Sequence, residues 1–80
     1  MSSILFFYKE GSKDCERVSK LLKSSPLIFY LKKIDVEKDE ALPDIDRHNI
    51  CMVPTIVGEP SGKKVCGKNI TEESIFHVLN

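Results

Sequence analysis

The run Ile4-Leu5-Phe6-Phe7-Tyr8 constrains this chain more than any other stretch. An extended strand points alternate side chains to opposite faces, so an unbroken apolar run has to be covered on both of them. A sheet with one wet face is therefore excluded for this strand, and helices are needed on either side of it. The run is also far shorter than the ~20 residues that span a bilayer, so it reads as a strand and no membrane segment is expected. A chain of 80 residues has room for a single small domain, spanning 1–80, which buries only about 60–65% of its unfolded surface.

The remaining elements follow from local signals. Ser12 is a good N-cap after Glu10-Gly11, and Asp14 suits the positive first turn of a helix. Cys15, Val18 and Leu22 then repeat at helical spacing with Leu21 beside them, which leaves Glu16, Arg17, Lys20 and Lys23 to face outward. Ser24-Ser25-Pro26 stops this helix. Leu27–Val36 reads as a second strand, and its apolar residues on both parities, Leu27, Ile28, Phe29, Tyr30 and Leu31, predict burial on both faces of its first half. A charged turn, Glu37–Glu40, precedes a short helix over Ala41–Asn49 with Pro43 in its first turn.

Val53–Val57 is a third strand with Pro54 near its start, where a missing N–H is tolerated. Gly58–Gly62 makes a turn, and Lys63–Cys66 the return strand of a hairpin. Thr71 caps a final helix, with Ile70 and Ile75 in hydrophobic-staple positions and Ile75, Val78 and Leu79 as its core stripe. The order β-α-β-α-β-β-α implies a right-handed parallel crossover and a closing antiparallel pair, that is, an α/β fold with a four-stranded mixed sheet flanked by helices.

Twelve Lys+Arg balance twelve Asp+Glu. That zero net charge argues against a basic surface for nucleic acid and against an acidic solvating tail. Three cysteines, Cys15, Cys51 and Cys66, are odd in number and widely spaced, and Met-Ser-Ser-Ile lacks the charged start and cleavage site of a signal peptide. Together these predict a reducing, cytoplasmic setting. There is no C-x-x-C, and His48 and His77 stand at no finger-like distance from a cysteine, so no metal site is expected.

This element order, with its punctuation, resembles the thioredoxin fold in its small glutaredoxin form, over nearly the whole chain. Cys15-Glu16-Arg17-Val18-Ser19-Lys20-Leu21-Leu22 is similar to the glutaredoxin run that begins at the second active-site cysteine. Ile34-Asp35-Val36-Glu37-Lys38-Asp39 resembles the second strand and its charged exit, Val53-Pro54-Thr55 the cis-proline loop, and Lys63-Lys64-Val65-Cys66-Gly67 the hairpin strand that ends in glycine. In that family the first cysteine of Cys-x-x-Cys sits exposed at the helix tip, where amides and dipole favour the attacking thiolate, and the second resolves the mixed disulfide. Here the motif reads Ser12-Lys13-Asp14-Cys15, with the resolving position kept and serine in the attacking one. A serine hydroxyl forms no disulfide, and without an adjacent base it is a poor nucleophile.

The resemblance implies catalytic roles at Ser12 and Cys15. It further implies a glutathione groove lined by Lys9, Val53, Pro54 and Gly67, with a cis Val53–Pro54 bond and glutathione as co-substrate rather than a tightly bound cofactor. Lys68-Asn69 departs from the acidic pair that holds the glutathione amino group in the family. From the residues alone, each position keeps a plainer reading. Ser12 is a helix cap, and Cys15 a small core residue in which burial opposes the helix field. Lys9 is a solvated strand end, Pro54 an ordinary trans proline, and Cys66 packing. A Cys15–Cys51 disulfide requires Cα atoms within about 7 Å.

Two functions follow. One is a glutaredoxin-like thiol-disulfide oxidoreductase working through a single thiol, Cys15 or Cys51, with glutathione or a protein thiol or disulfide supplying the other sulfur. The other is a redox-inactive module that holds an extended peptide in the cis-proline groove by strand-like pairing.

Overall fold

The computed structural model of the chain describes residues 2–27 and 29–80. Ile28, part of the expected second strand, lies outside the described residues. The elements are β1 (Ser3–Tyr8), α1 (Lys13–Ser24), β2 (Tyr30–Asp35), α2 (Leu42–His48), β3 (Thr55–Glu59), β4 (Lys64–Cys66) and α3 (Glu72–Leu79), with 3-10 turns at Asp39–Ala41 and Gly67–Asn69. The four strands form one sheet in the order β2-β1-β3-β4. β1 runs parallel to β2, with Phe6 opposite Lys33, and antiparallel to β3, with Phe6 opposite Ile56. β4 returns antiparallel to β3, with Ile56 opposite Val65. This is the mixed α/β architecture expected from the element order.

β1 is the centre of the molecule because its apolar run is buried on both faces, Ile4 through Phe7 without a break. On one face Ile4 and Phe6 join Ile56 and meet Cys15, Val18 and Leu22 from α1, Ile70, and Ile75 and Val78 from α3. On the other, Leu5, Phe7, Ile34 and Val57 meet Ala41, with Ile45 and Ile50 packed at the margin. α3 is fixed by the capping box that Thr71 and Ser74 share. It lies so close to β3 that a Cβ on Gly58 would stand 1.7 Å from the Val78 carbonyl oxygen.

Two expectations are corrected. The second strand begins at Tyr30 and is not buried on both faces of its first half, since Tyr30 is 63% exposed. β2 is a sheet edge, and Tyr30 shares the parity of Ile34 on the α2 face. A helix of seven residues reaches only ~10 Å, against ~20 Å for the six-residue strand, and leaves that end bare. The third strand starts at Thr55 rather than Val53 and runs through Gly58 to Glu59, because Gly58 is held in the sheet opposite Ile4.

Candidate functional site

Gly11, at φ +84°, turns the chain from β1 into α1 through a conformation that a Cβ disfavours. Ser12 then takes extended geometry as the N-cap of α1, and its Oγ accepts a hydrogen bond from the Cys15 N–H at 3.3 Å. One helix-tip donor is thereby satisfied. No side chain accepts from the Ser12 hydroxyl among the described residues, so nothing there acts as a base toward it. Cys15 is 4% exposed and packs in the core cluster beside Ile4, Phe6 and Val18. Lys9, Ser12 and Cys15 line one hollow of about 380 Å³, with Tyr8, Ser19 and Lys33 also on its walls. The Lys33 ammonium lies 5.1 Å over the Tyr8 ring, a cation–π contact.

Of the other predicted residues, Val53 and Pro54 lie on the loop between α2 and β3, and Gly67 opens the turn after β4. The Val53–Pro54 peptide bond is cis, and Pro54 is buried. The Thr55 hydroxyl donates to the Met52 carbonyl at 2.7 Å, which pins the loop from below. The Gly67 N–H donates to the Pro54 carbonyl at 2.8 Å. The N–H and C=O of Val53 have no backbone partner among the described residues. Val53 faces a second hollow of about 200 Å³, lined also by Val36, Ile45, Ile50, Cys51 and Met52. The sequence-predicted residues thus divide: Lys9, Ser12 and Cys15 share one hollow, Val53 borders another, and Pro54 is bonded to Gly67. All three cysteines are free, with Cys51 exposed and Cys66 half-buried.

Arg17 faces outward as expected, its side chain 43% exposed, but its guanidinium also reaches across to another element. Its Nε donates to Asp14 Oδ1 at 2.7 Å, its Nη1 to the Ile70 carbonyl at 3.0 Å and its Nη2 to the Gly67 carbonyl at 3.2 Å. The guanidinium therefore bridges the second turn of α1 to the turn that enters α3. The Asp14/Arg17 spacing of three was the one sequence signal available, and it announces the ion pair but not the carbonyls. Gly67 itself is buried at φ +61°. Lys68 and Asn69, on the same turn, are exposed.

Among the described residues no group of three or more His, Cys, Asp or Glu side chains is placed to hold a metal ion. No helix there is long and apolar enough to cross a membrane. No family model matches the sequence, and no curated protein matches it.

Solved structures do match. A point mutant of thioredoxin from Halobacterium salinarum NRC-1 superposes with a TM-score of 0.76 at 22% identity, over 92% of this chain and 67% of that one. The thioredoxin-like protein BC3987 gives 0.65 at 22% identity, over 96% of this chain and all of the other. A thioredoxin from Thermus thermophilus gives 0.68 at 16% identity, over 96% and 70%. The chain has the thioredoxin fold. At such identities the likeness is one of fold, the sheet order and helices described above.

Proposed function

We propose that this thioredoxin-fold chain is a glutaredoxin-type module that performs no disulfide exchange at positions 12 and 15 and instead holds an extended segment of a protein partner along the Val53–Pro54 rim. The observation that carries this reading is the Ser12–Cys15 pair. The hydroxyl at the attacking position is engaged as a helix cap by the Cys15 N–H at 3.3 Å, and the thiol behind it is 4% exposed. A sulfur in that position has neither a partner cysteine nor access to a bulky disulfide. The N–H and C=O of Val53, without a backbone partner among the described residues, supply the donor and acceptor that strand-like pairing with a partner backbone needs.

A second reading is favoured by one further observation, the exposure of Cys51 three residues before Pro54. In it Cys51 is the working thiol of a glutathione-linked oxidoreductase. The Cys51 thiolate attacks the glutathione sulfur of a protein–glutathione mixed disulfide, an S–S bond forms between Cys51 and glutathione, and the substrate sulfur leaves as the thiolate. A second glutathione thiol then attacks that bond, regenerating the Cys51 thiol and forming glutathione disulfide, so the substrate disulfide is reduced at the expense of two glutathione thiols.

Alkylation with iodoacetamide across a pH series, with the modified cysteines mapped, tests both. Cys51 is expected to react first, Cys66 more slowly, and Cys15 only on the time scale of unfolding. The binding reading further predicts no glutathione-dependent disulfide reductase activity. Activity abolished by Cys51→Ser would replace it with the second reading, and rapid labelling of Cys15 in the folded protein would overturn both.

A further inference from the structure

The Val53–Pro54 rim is not held by its own loop alone. Gly67 ties it down through the 2.8 Å bond from its N–H to the Pro54 carbonyl, and Gly67 is in turn held by a side chain from another element. Arg17 donates from Nη2 to the Gly67 carbonyl at 3.2 Å and from Nη1 to the Ile70 carbonyl at 3.0 Å. These are the first residue of the Gly67–Asn69 turn and the residue that follows it. The Gly67 carbonyl also accepts the Ile70 N–H at 3.2 Å, closing the turn on itself. Asp14 Oδ1 accepts the Nε–H hydrogen bond at 2.7 Å and balances the charge. Three guanidinium nitrogens are thus used at once, each toward a different oxygen.

We propose that Arg17 is the positioning residue of the partner groove: its guanidinium fixes the Gly67–Asn69 turn against α1 and, through the Gly67–Pro54 bond, sets the pose of the Val53 backbone groups that a partner would pair with. This rests on the binding reading above for its consequence, but not for its geometry. Three points favour a positioning role over an ordinary surface ion pair. The Arg17 side chain stays 43% exposed, so little apolar packing is gained by holding it. Its neutralising partner, Asp14, lies one turn back on the same helix, which pre-orients the fork. The carbonyls it reaches lie 50 and 53 residues away in sequence, at the place where β4 gives way to α3. A planar fork serves two carbonyls and a carboxylate together, whereas a lysine ammonium on a flexible stem does not reproduce that arrangement. Room at the turn is also limited, since a Cβ on Gly67 would stand 3.1 Å from the Met52 methyl carbon. A shift of the turn is therefore felt by the residue that precedes Val53.

The experiment is amide hydrogen exchange by NMR on the full chain, read residue by residue, with Arg17→Ala and Arg17→Lys beside the parent. A titration with S-methylglutathione, an unreactive extended tripeptide, follows for each. Arg17→Ala is expected to speed exchange of the Gly67 amide by about ten-fold, the scale of losing charge-assisted hydrogen bonds, with the Phe6 and Phe7 amides unchanged. Arg17→Lys is expected to behave like Arg17→Ala. Tripeptide binding, read from shifts at Val53, should weaken about five-fold in both variants. Should Arg17→Ala not fold, Arg17→Lys carries the same test.

Unchanged Gly67 exchange in both variants would overturn the proposal. So would full restoration by lysine, because charge without the fork would then suffice. If the parent itself binds no tripeptide, the binding reading loses its support, while the exchange result alone still decides whether Arg17 fixes the turn.

Discussion

One face of the sheet is covered by two helices and the other by a single helix of seven residues, and the cores beneath them differ accordingly. α1 and α3 bury Cys15, Val18, Leu22, Ile75 and Val78 against Ile4, Phe6 and Ile56. α2 buries none of its own residues, and its face is closed by Leu5, Phe7, Ile34, Val57 and Ala41 with half-buried Ile45 and Ile50. The candidate site straddles this divide. Ser12 and Cys15 are built into the thick side, while Val53 packs at the margin of both cores. A helix tip embedded in the thick core has little freedom to expose a sulfur. The rim on the thin margin, where the Val53 N–H and C=O have no backbone partner among the described residues, is where the proposed partner segment would lie.

The largest blow to this asymmetry is Gly58→Ala. Its new Cβ would meet the Val78 carbonyl oxygen at 1.7 Å and the carbonyl carbon at 2.5 Å. Both belong to backbone, so no rotamer relieves the clash and α3 has to lift from the sheet. The expected cost is at least about 3 kcal/mol, at the upper end of overpacking penalties. For a domain this small that corresponds to a fall of roughly 12 °C or more in Tm. A variant melting within a few degrees of the parent would show that α3 is not seated on β3 as described.

A matched pair of truncations measures the difference directly. Ile75 is fully buried in the thick core, so Ile75→Ala is expected to lose about 3 kcal/mol, within the range for large-to-small core changes. Ile45, half-buried on α2, leaves a site that solvent fills, and Ile45→Ala is expected to lose about 1 kcal/mol. Denaturant unfolding of the two variants should separate them clearly. Equal losses would mean that the two faces contribute alike, and the idea of a yielding rim would go with them.

Much of the thick side was legible in the sequence because its signals are local. The uninterrupted apolar run of β1, the Ser12 cap, the Cys15/Val18/Leu22 spacing and the Thr71 cap with its Ile70/Ile75 staple each lie within a few residues and agree with one another. The thin side was less legible. The bare end of β2 depends on how far α2 reaches, which no pattern within Leu27–Val36 encodes. Gly58 reads as a turn residue, whereas in the fold it is a strand residue chosen for the absence of a side chain beneath Val78. Within the site, the hollow shared by Lys9, Ser12 and Cys15 follows from adjacency along β1 and α1. The reach of Arg17 to Gly67 and Ile70 spans more than fifty residues and is invisible to any local rule.

The smallest effect bears most directly on the chemistry of position 12. If the Ser12 hydroxyl acts as the cap of α1, as its 3.3 Å bond from the Cys15 N–H indicates, then Ser12→Ala should cost about 1 kcal/mol. Ser12→Asp should hold stability within a few tenths, because a carboxylate caps as well as a hydroxyl and suits the positive end of the helix. The two substitutions separate capping from mere size, since aspartate is the larger and yet the better tolerated. Thermal unfolding of the three proteins at low ionic strength makes the measurement. Should alanine and aspartate destabilise equally, the hydroxyl would be serving something other than the helix. The case that Ser12 serves as the structural cap of α1 would then fail at its root.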